Sequence, residues 1–326
     1  MRQLLALAIL FSTAVPASAV TLDGSIAGDA YSLKSVQTVQ TEFGDNENEL
    51  NAGWAQIQDG VLYLVLTGNL QDNSNRLNVF IDSVAGGENV VTNNTDFGGN
   101  NPDNDNWAAK YAGFTFDTGF AADYLIILRN SVIAAPQFDV DFNSVGNTSV
   151  VELSTGIFGA SLTGANASVG ASGLGVAFNN SNLAGVTGGS GAANQAAAAA
   201  VLTGIELAIP LAAIGNPGPG DCIKISAMIN GANQDYLSNQ FLGPIDNVAP
   251  YEQIRLGGDG VGGFNGTVGQ IDLNDNDYAS GQQYFTVCVV PEPGTFAMLG
   301  LPLLVAAACR ARRRQRAGQA TGSKSP

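Results

Sequence analysis

The sequence predicts an all-β protein: an antiparallel β-sandwich of jelly-roll-like type over residues 20–290, flanked by a signal peptide and one C-terminal hydrophobic helix. Three observations predict it. Short alternating runs rich in Val, Ile, Leu, Phe and Tyr recur along the chain, with Gly- and Asn-rich turns every eight to twelve residues or so. WAQIQDGVLYLVLTG (54–68) reads as two strands joined at Asp59-Gly60, a type I′ hairpin pair. No fixed-period repeat is present, which disfavours solenoids and propellers.

Each element follows in order. RLNVFIDS (76–83) puts Leu77, Val79 and Ile81 on one face. YAGFTFD (111–117) and DYLIILRN (123–130) are the next strands. TSVVELST (148–155), IFGASLTG (157–164) and LGVAFNN (174–180) follow, then GIELAIPL (204–211) and CIKISAMIN (222–230). EQIRL, TVGQIDL and QQYFTVCVV end the domain. The Ala-rich AANQAAAAAVL (192–202) favours a short helix. LAAIG (211–215) reads as one helical turn closed by Gly215.

Both ends of the chain carry export signals. MRQLLALAILFSTAVPASAV has a basic start, an apolar core and a small-x-small site at Ala17 and Ala19, so residues 1–19 read as a signal peptide and the mature chain starts at Val20. Its partners would be the Sec translocon and signal peptidase. Residues 295–309 carry no charge. As a helix they would rise about 22 Å, short of a hydrocarbon core about 30 Å thick. Arg310, Arg312, Arg313, Arg314 and Arg316 follow, and the positive-inside rule keeps them cytoplasmic with residues 317–326 as a disordered tail.

Val290, Pro291, Glu292 and Pro293, then the apolar stretch and the arginines, resemble a PEP-CTERM sorting signal over residues 291–316. The resemblance implies an exosortase-type membrane protease as partner. It also implies a membrane-anchored precursor whose exported part ends at the bacterial cell surface or in the extracellular matrix. An ordinary single-pass anchor is the alternative.

Composition narrows the chemistry. The net charge is −15, and only Lys34, Arg76, Lys110, Arg129, Lys224 and Arg255 are basic within 20–290. Such a chain repels phosphate backbones, so nucleic acid is excluded as a partner. There is no histidine, which removes Ser-His-Asp, Cys-His and His-ligated zinc or haem chemistry. Carboxylate pairs remain, and Glu152 with Glu206 or Asp139 with Asp141 are the candidates for a glycan-active enzyme. Of three cysteines, Cys309 belongs to the sorting segment; Cys222 and Cys288 form a disulfide outside the cell or stay as two buried thiols.

LDGSIAGDAY (22–31), the Trp54 hairpin and GIELAIPLAAIG together resemble carbohydrate-binding family-9-like and DOMON-like β-sandwiches. That resemblance implies a sandwich, and a sugar site built on aromatic rings. Trp54 starts a strand and is assigned to core packing; Trp107, in the polar NPDNDNWAAK loop, is the candidate glycan-stacking ring. Acidic turns supply candidate ligands for a structural Ca²⁺: Asp103 and Asp105, and Asp272, Asn274 and Asn276. Neither completes an EF-hand, since Asp277 and Gln283 stand where Gly and Glu belong. The bland reading of both is turn formation.

The expected function is therefore a non-enzymatic exported surface or matrix protein, glycan-associated and sorted through its C-terminus. The alternatives are a carbohydrate-binding module with a defined site and a carboxylate-dependent extracellular enzyme.

Overall fold

In the computed structural model the described residues are 19–92, 107–132, 137–145, 151–158, 167–234, 236–245, 268–275 and 281–290. Residues 1–18, nearly all of the expected signal peptide (1–19), and everything from Pro291 onward, including the expected sorting segment and the arginines, lie outside them. Among the described residues no helix is long and apolar enough to cross a membrane. All described strands fall within one compact unit, Ser18–Val289.

The strands are Ser32–Val36 (β1), Asn48–Gln58 (β2), Val61–Leu70 (β3), Asn73–Asp82 (β4), Tyr124–Ser131 (β5), Gln137–Ser144 (β6), Val151–Phe158 (β7), Ala167–Val169 (β8), Leu174–Phe178 (β9), Gly204–Pro210 (β10), Cys222–Asn230 (β11), Leu237–Phe241 (β12) and Phe285–Cys288 (β13). They pair antiparallel in two sheets. One has the order β1-β2-β3-β10-β9-β8; the other has β12-β11-β4-β5-β6-β7, with β13 also on β11. Jelly-rolls nest strands from distant parts of the chain. Here most neighbours are consecutive in sequence; the most distant pairings are β3 with β10 in one sheet and β4 with β11 in the other.

Alternation fixes which side of each strand faces inward. Leu62, Leu64 and Leu66 of β3, Leu77, Val79 and Ile81 of β4, and Ile205, Leu207 and Ile209 of β10 enter one core shared by both sheets. The β2–β3 turn is the expected one: Asp59 (φ 52°) and Gly60 (φ 76°) both take the left-handed conformation that a type I′ turn needs. The Ala-rich stretch forms a short helix, Gln195–Ala199 (α2), with Asn194 Oδ1 accepting from the Ala197 amide at 3.2 Å. Leu211–Ile214 is a single 3-10 turn closed by Gly215 at φ 83°. A Cβ on Gly215 would meet Val84 Cγ1 at 2.0 Å, so only glycine fits there.

Four expected strands form differently. Residues 111–117 are the end of a short helix, Trp107–Tyr111 (α1), followed by an irregular packed segment with bridges from Thr115 to Val90 and Asp272. Of residues 148–164 the described ones, 151–158, run as one strand, β7, across the expected break between the two. TVGQIDL gives the 3-10 turn Val268–Gln270 and that same bridge at Asp272. EQIRL lies outside the described residues.

The irregular segment has a structural purpose. The outer face of the β4-containing sheet is apolar as well, because Phe80, Leu125, Ile127 and Met228 point away from the first core. Trp107, Tyr111, Phe114, Phe116 and Phe120 cover it in a chain of ring contacts, with Phe80–Phe116 centroids 4.8 Å apart and Phe114–Phe116 5.0 Å apart. The buried Tyr111 hydroxyl accepts from Asn78 Nδ2 at 2.7 Å and Asn230 Nδ2 at 3.1 Å. The fold is thus a sandwich with a second, aromatic core on its back.

Candidate functional site: the C-terminal exit and an aromatic face

The last strand, β13, shares the β11 edge with β12. Cys288 lies directly opposite Cys222, and the two are joined by a disulfide with Cα atoms 3.9 Å apart. Both cysteines are exposed. Beyond the bridge two more backbone bonds hold the chain: Val289 N–H donates to Asp221 O and Gly220 N–H to Val289 O, each at 2.9 Å. Val287 and Val289 are buried against the core, and Val290 is 68% exposed. Val290 is the last described residue before Pro291-Glu292-Pro293. Lys224, on β11 beside this strand, bridges to Asp82 at 2.8 Å.

Neither tryptophan sits where the sequence placed it. Trp107 is fully buried in the aromatic core, so it is no stacking platform; on a helix, Trp107, Ala108 and Tyr111 share the inward face. Trp54 is partly exposed on the outer face of the β1–β3 sheet. Its parity along β2 matches Gln56 and Gln58, while Ala55 and Ile57 face the core. That arithmetic was available in the sequence.

Across this outer face one row reads Leu33, Trp54, Val65, Glu206, Ala177. The next row pairs Gln56 with Tyr63, so Trp54 and Tyr63 are diagonal neighbours. Glu206 is fully buried although it points away from the core. The N-terminal segment covers it. Asp23 and Gly24 donate their amides to Oε2 at 2.8 and 2.7 Å, and Tyr31 donates its hydroxyl to Oε1. Burial pushes the Glu206 carboxyl above the usual range, opposed by those three hydrogen bonds. Burial and the Glu206 contact also push the Tyr31 phenol up, so it stays protonated as the donor.

The other candidate carboxylates are also engaged internally. Asp139 pairs with Arg129, and Asp141 Oδ1 accepts from Thr155 Oγ1 at 2.6 Å. The side chain of Glu152 lies outside the described set. Of the calcium candidates, Asp103, Asp105 and Asn276 lie outside the described residues. Asp272 and Asn274 are brought together, as a turn: Asp272 Oδ1 accepts from the Asn274 backbone and side-chain amides, both at 2.9 Å. Asn274 Oδ1 is turned to Thr118, accepting from its amide at 2.8 Å and its hydroxyl at 2.7 Å. Among the described residues no group of three or more acidic or sulfur side chains could hold a metal. No protein-family model, no curated protein and no solved structure matches the chain.

Proposed function

We propose that this is a non-enzymatic exported protein, sorted through its Pro-Glu-Pro, apolar and arginine C-terminus by an exosortase-type protease to the cell surface or extracellular matrix. The observation that carries the reading is the exit geometry. The β unit is closed by the Cys222–Cys288 bridge and releases its chain at exposed Val290, the first residue of the sorting motif. A membrane protease needs an accessible segment, and the motif's first residue, Val290, is exposed next to Val289, which is still paired with Asp221 and Gly220. A surface disulfide suits an oxidising compartment.

The non-enzymatic part is supported by the chemistry left over. With histidine absent, carboxylates would have to carry catalysis, and Glu206, Asp139 and Asp141 each serve an internal hydrogen bond or ion pair. The test is a triple replacement, P291A/E292A/P293A, in the native host. The parent chain is expected at the surface without its arginine cluster, and the variant in the membrane fraction at uncut mass. Surface delivery of the uncut variant, equal to the parent, would overturn the proposal.

A further inference from the structure

The bond that closes the fold stands where a thiol can reach it. Cys222 and Cys288 are directly opposite each other on β11 and β13, and both are exposed. They share the outward side with Lys224 and Thr286, while Ile223 and Val287 alternate into the core. β4 and β13 flank β11 on opposite edges, since Lys224 pairs with Asp82 on one side and with Thr286 on the other. An open cleft of about 360 Å³ adjoins Cys222. Its described lining comes from the end of β4 and the loop before β11, including Asp82, Ser83, Asn216 and Asp221, and from no residue of β13. The cleft therefore lies on the side of Cys222 away from Cys288. A thiolate must arrive from that side to displace Cys288 in line.

We infer that this disulfide is a thiol–disulfide exchange site, entered from the cleft at Cys222, and that its partner is a dithiol oxidoreductase whose reactive cysteine sits among neutral or basic groups. The partner's thiolate attacks Cys222 Sγ, the S–S bond breaks, and its electron pair leaves on Cys288, which takes a proton from water. The partner's second thiol, as thiolate, then attacks the mixed disulfide. Cys222 leaves as a thiolate and is protonated in turn, and the partner is left oxidised. The charge of the cleft selects the partner. Its described lining holds two carboxylates, Asp82 and Asp221, and no basic group. Lys224 pairs with Asp82, so Asp221 sets the sign that an incoming thiol meets. The opening is local. Phe285, Val287 and Val289 are buried in the shared core, so β13 stays seated while two free thiols appear at the chain exit. The oxidation state of the exit is then set by the surrounding thiols, whether or not the chain is later cut.

The experiment uses the oxidised full chain in detergent micelles, with the third cysteine, Cys309, blocked by N-ethylmaleimide. Without denaturant and at low ionic strength it meets cysteamine, 2-mercaptoethanol or 2-mercaptoethanesulfonate. Iodoacetamide traps the released protein thiol at early times, and the peptides are mapped by mass. The thiol adduct is expected on Cys222 and the carbamidomethyl group on Cys288, with the circular dichroism of the fold unchanged. Rates per thiolate are divided by the rate of the same thiol toward a neutral small disulfide. They should fall about tenfold from the cationic to the anionic thiol, because one unit charge about 6 Å from a carboxylate in water is worth about threefold. D221N should remove most of that spread, with its amide oxygen still accepting from the Gly218 amide as Asp221 does. An adduct chiefly on Cys288, or split evenly between the two, would overturn the assignment. So would exchange that needs denaturant, or a charge order that is absent or that D221N leaves intact.

Discussion

Tyr31 donates its phenolic hydrogen to Glu206, 175 positions further along the chain, and that bond pins the N-terminal segment across the back of a β-sheet. Glu206 sits in β10, opposite Val65 of β3, and its other oxygen receives the amides of Asp23 and Gly24. One buried carboxylate thus ties residues 23–31 to the middle of the sandwich.

Removing the donor should be costly. Tyr31→Phe keeps the ring and leaves a buried carboxylate oxygen short of a partner, at a cost of about 2 kcal/mol. Chemical denaturation measures it. Glu206→Ala should do more, freeing residues 21–31 from the sheet, and proteolysis should then nick that segment while the strands survive.

Stability should fall as pH rises. Glu206, Glu49, Asp123 and Asp29 are all held above the usual carboxyl range, burial being the largest cause in each. The folded state therefore binds more protons than the unfolded chain across the window between the two pKa values. Their contribution is fully present below about pH 4, the unfolded value, and is lost as pH climbs through the raised folded values. The denaturant midpoint should be higher at pH 5 than at pH 8, and Glu206→Gln should flatten that slope.

The disulfide closes a loop with a sequence separation of 66. Chain-entropy arguments give a stabilisation of about 4 kcal/mol for such a loop. Reduction should lower the unfolding midpoint accordingly, and C222S/C288S should match the reduced parent and show no further response to reductant. β13 should be the first strand to exchange its amides, since its bonds to β11 lie at the edge of the sheet.

The tryptophans should separate in stability as they do in burial. Trp107→Ala empties a site ringed by Phe80 and Tyr111 and should cost about 3–5 kcal/mol. Trp54→Ala, on the solvent side of β2, should cost far less, and calorimetry of the two variants checks the order.

Much of the fold was legible where local chemistry decides it. Asp59-Gly60 and Gly215 each specify a backbone turn that no distant contact overrides, and the Ala-rich run specifies a short helix. Alternation located the core face of β4, Leu77, Val79 and Ile81. It did not reveal that the β4 sheet is covered on both faces, because period two says which residues share a side and not what lies over it. Residues 111–117 alternate like a strand yet pack as an irregular aromatic layer, since the apolar back of that sheet needed a cover. The same cause misplaced Trp107: its polar neighbours suggested a surface loop, while the i, i+4 spacing to Tyr111 carried the contrary signal. The Cys222–Cys288 pairing was within reach because each cysteine lies in a strand-like run. The partners of Glu206 were not, as 175 or more residues separate them from it.

The central claim is that residues 20–290 are the exported object, closed by one disulfide and released at the Pro-Glu-Pro motif. The direct measurement is the intact mass, under non-reducing conditions, of the protein recovered from the native cell surface or medium. The account predicts a chain that starts at Val20, ends near Pro291 and keeps the Cys222–Cys288 bond. A chain that retains Arg310–Arg316, or carries both cysteines as free thiols, would contradict it.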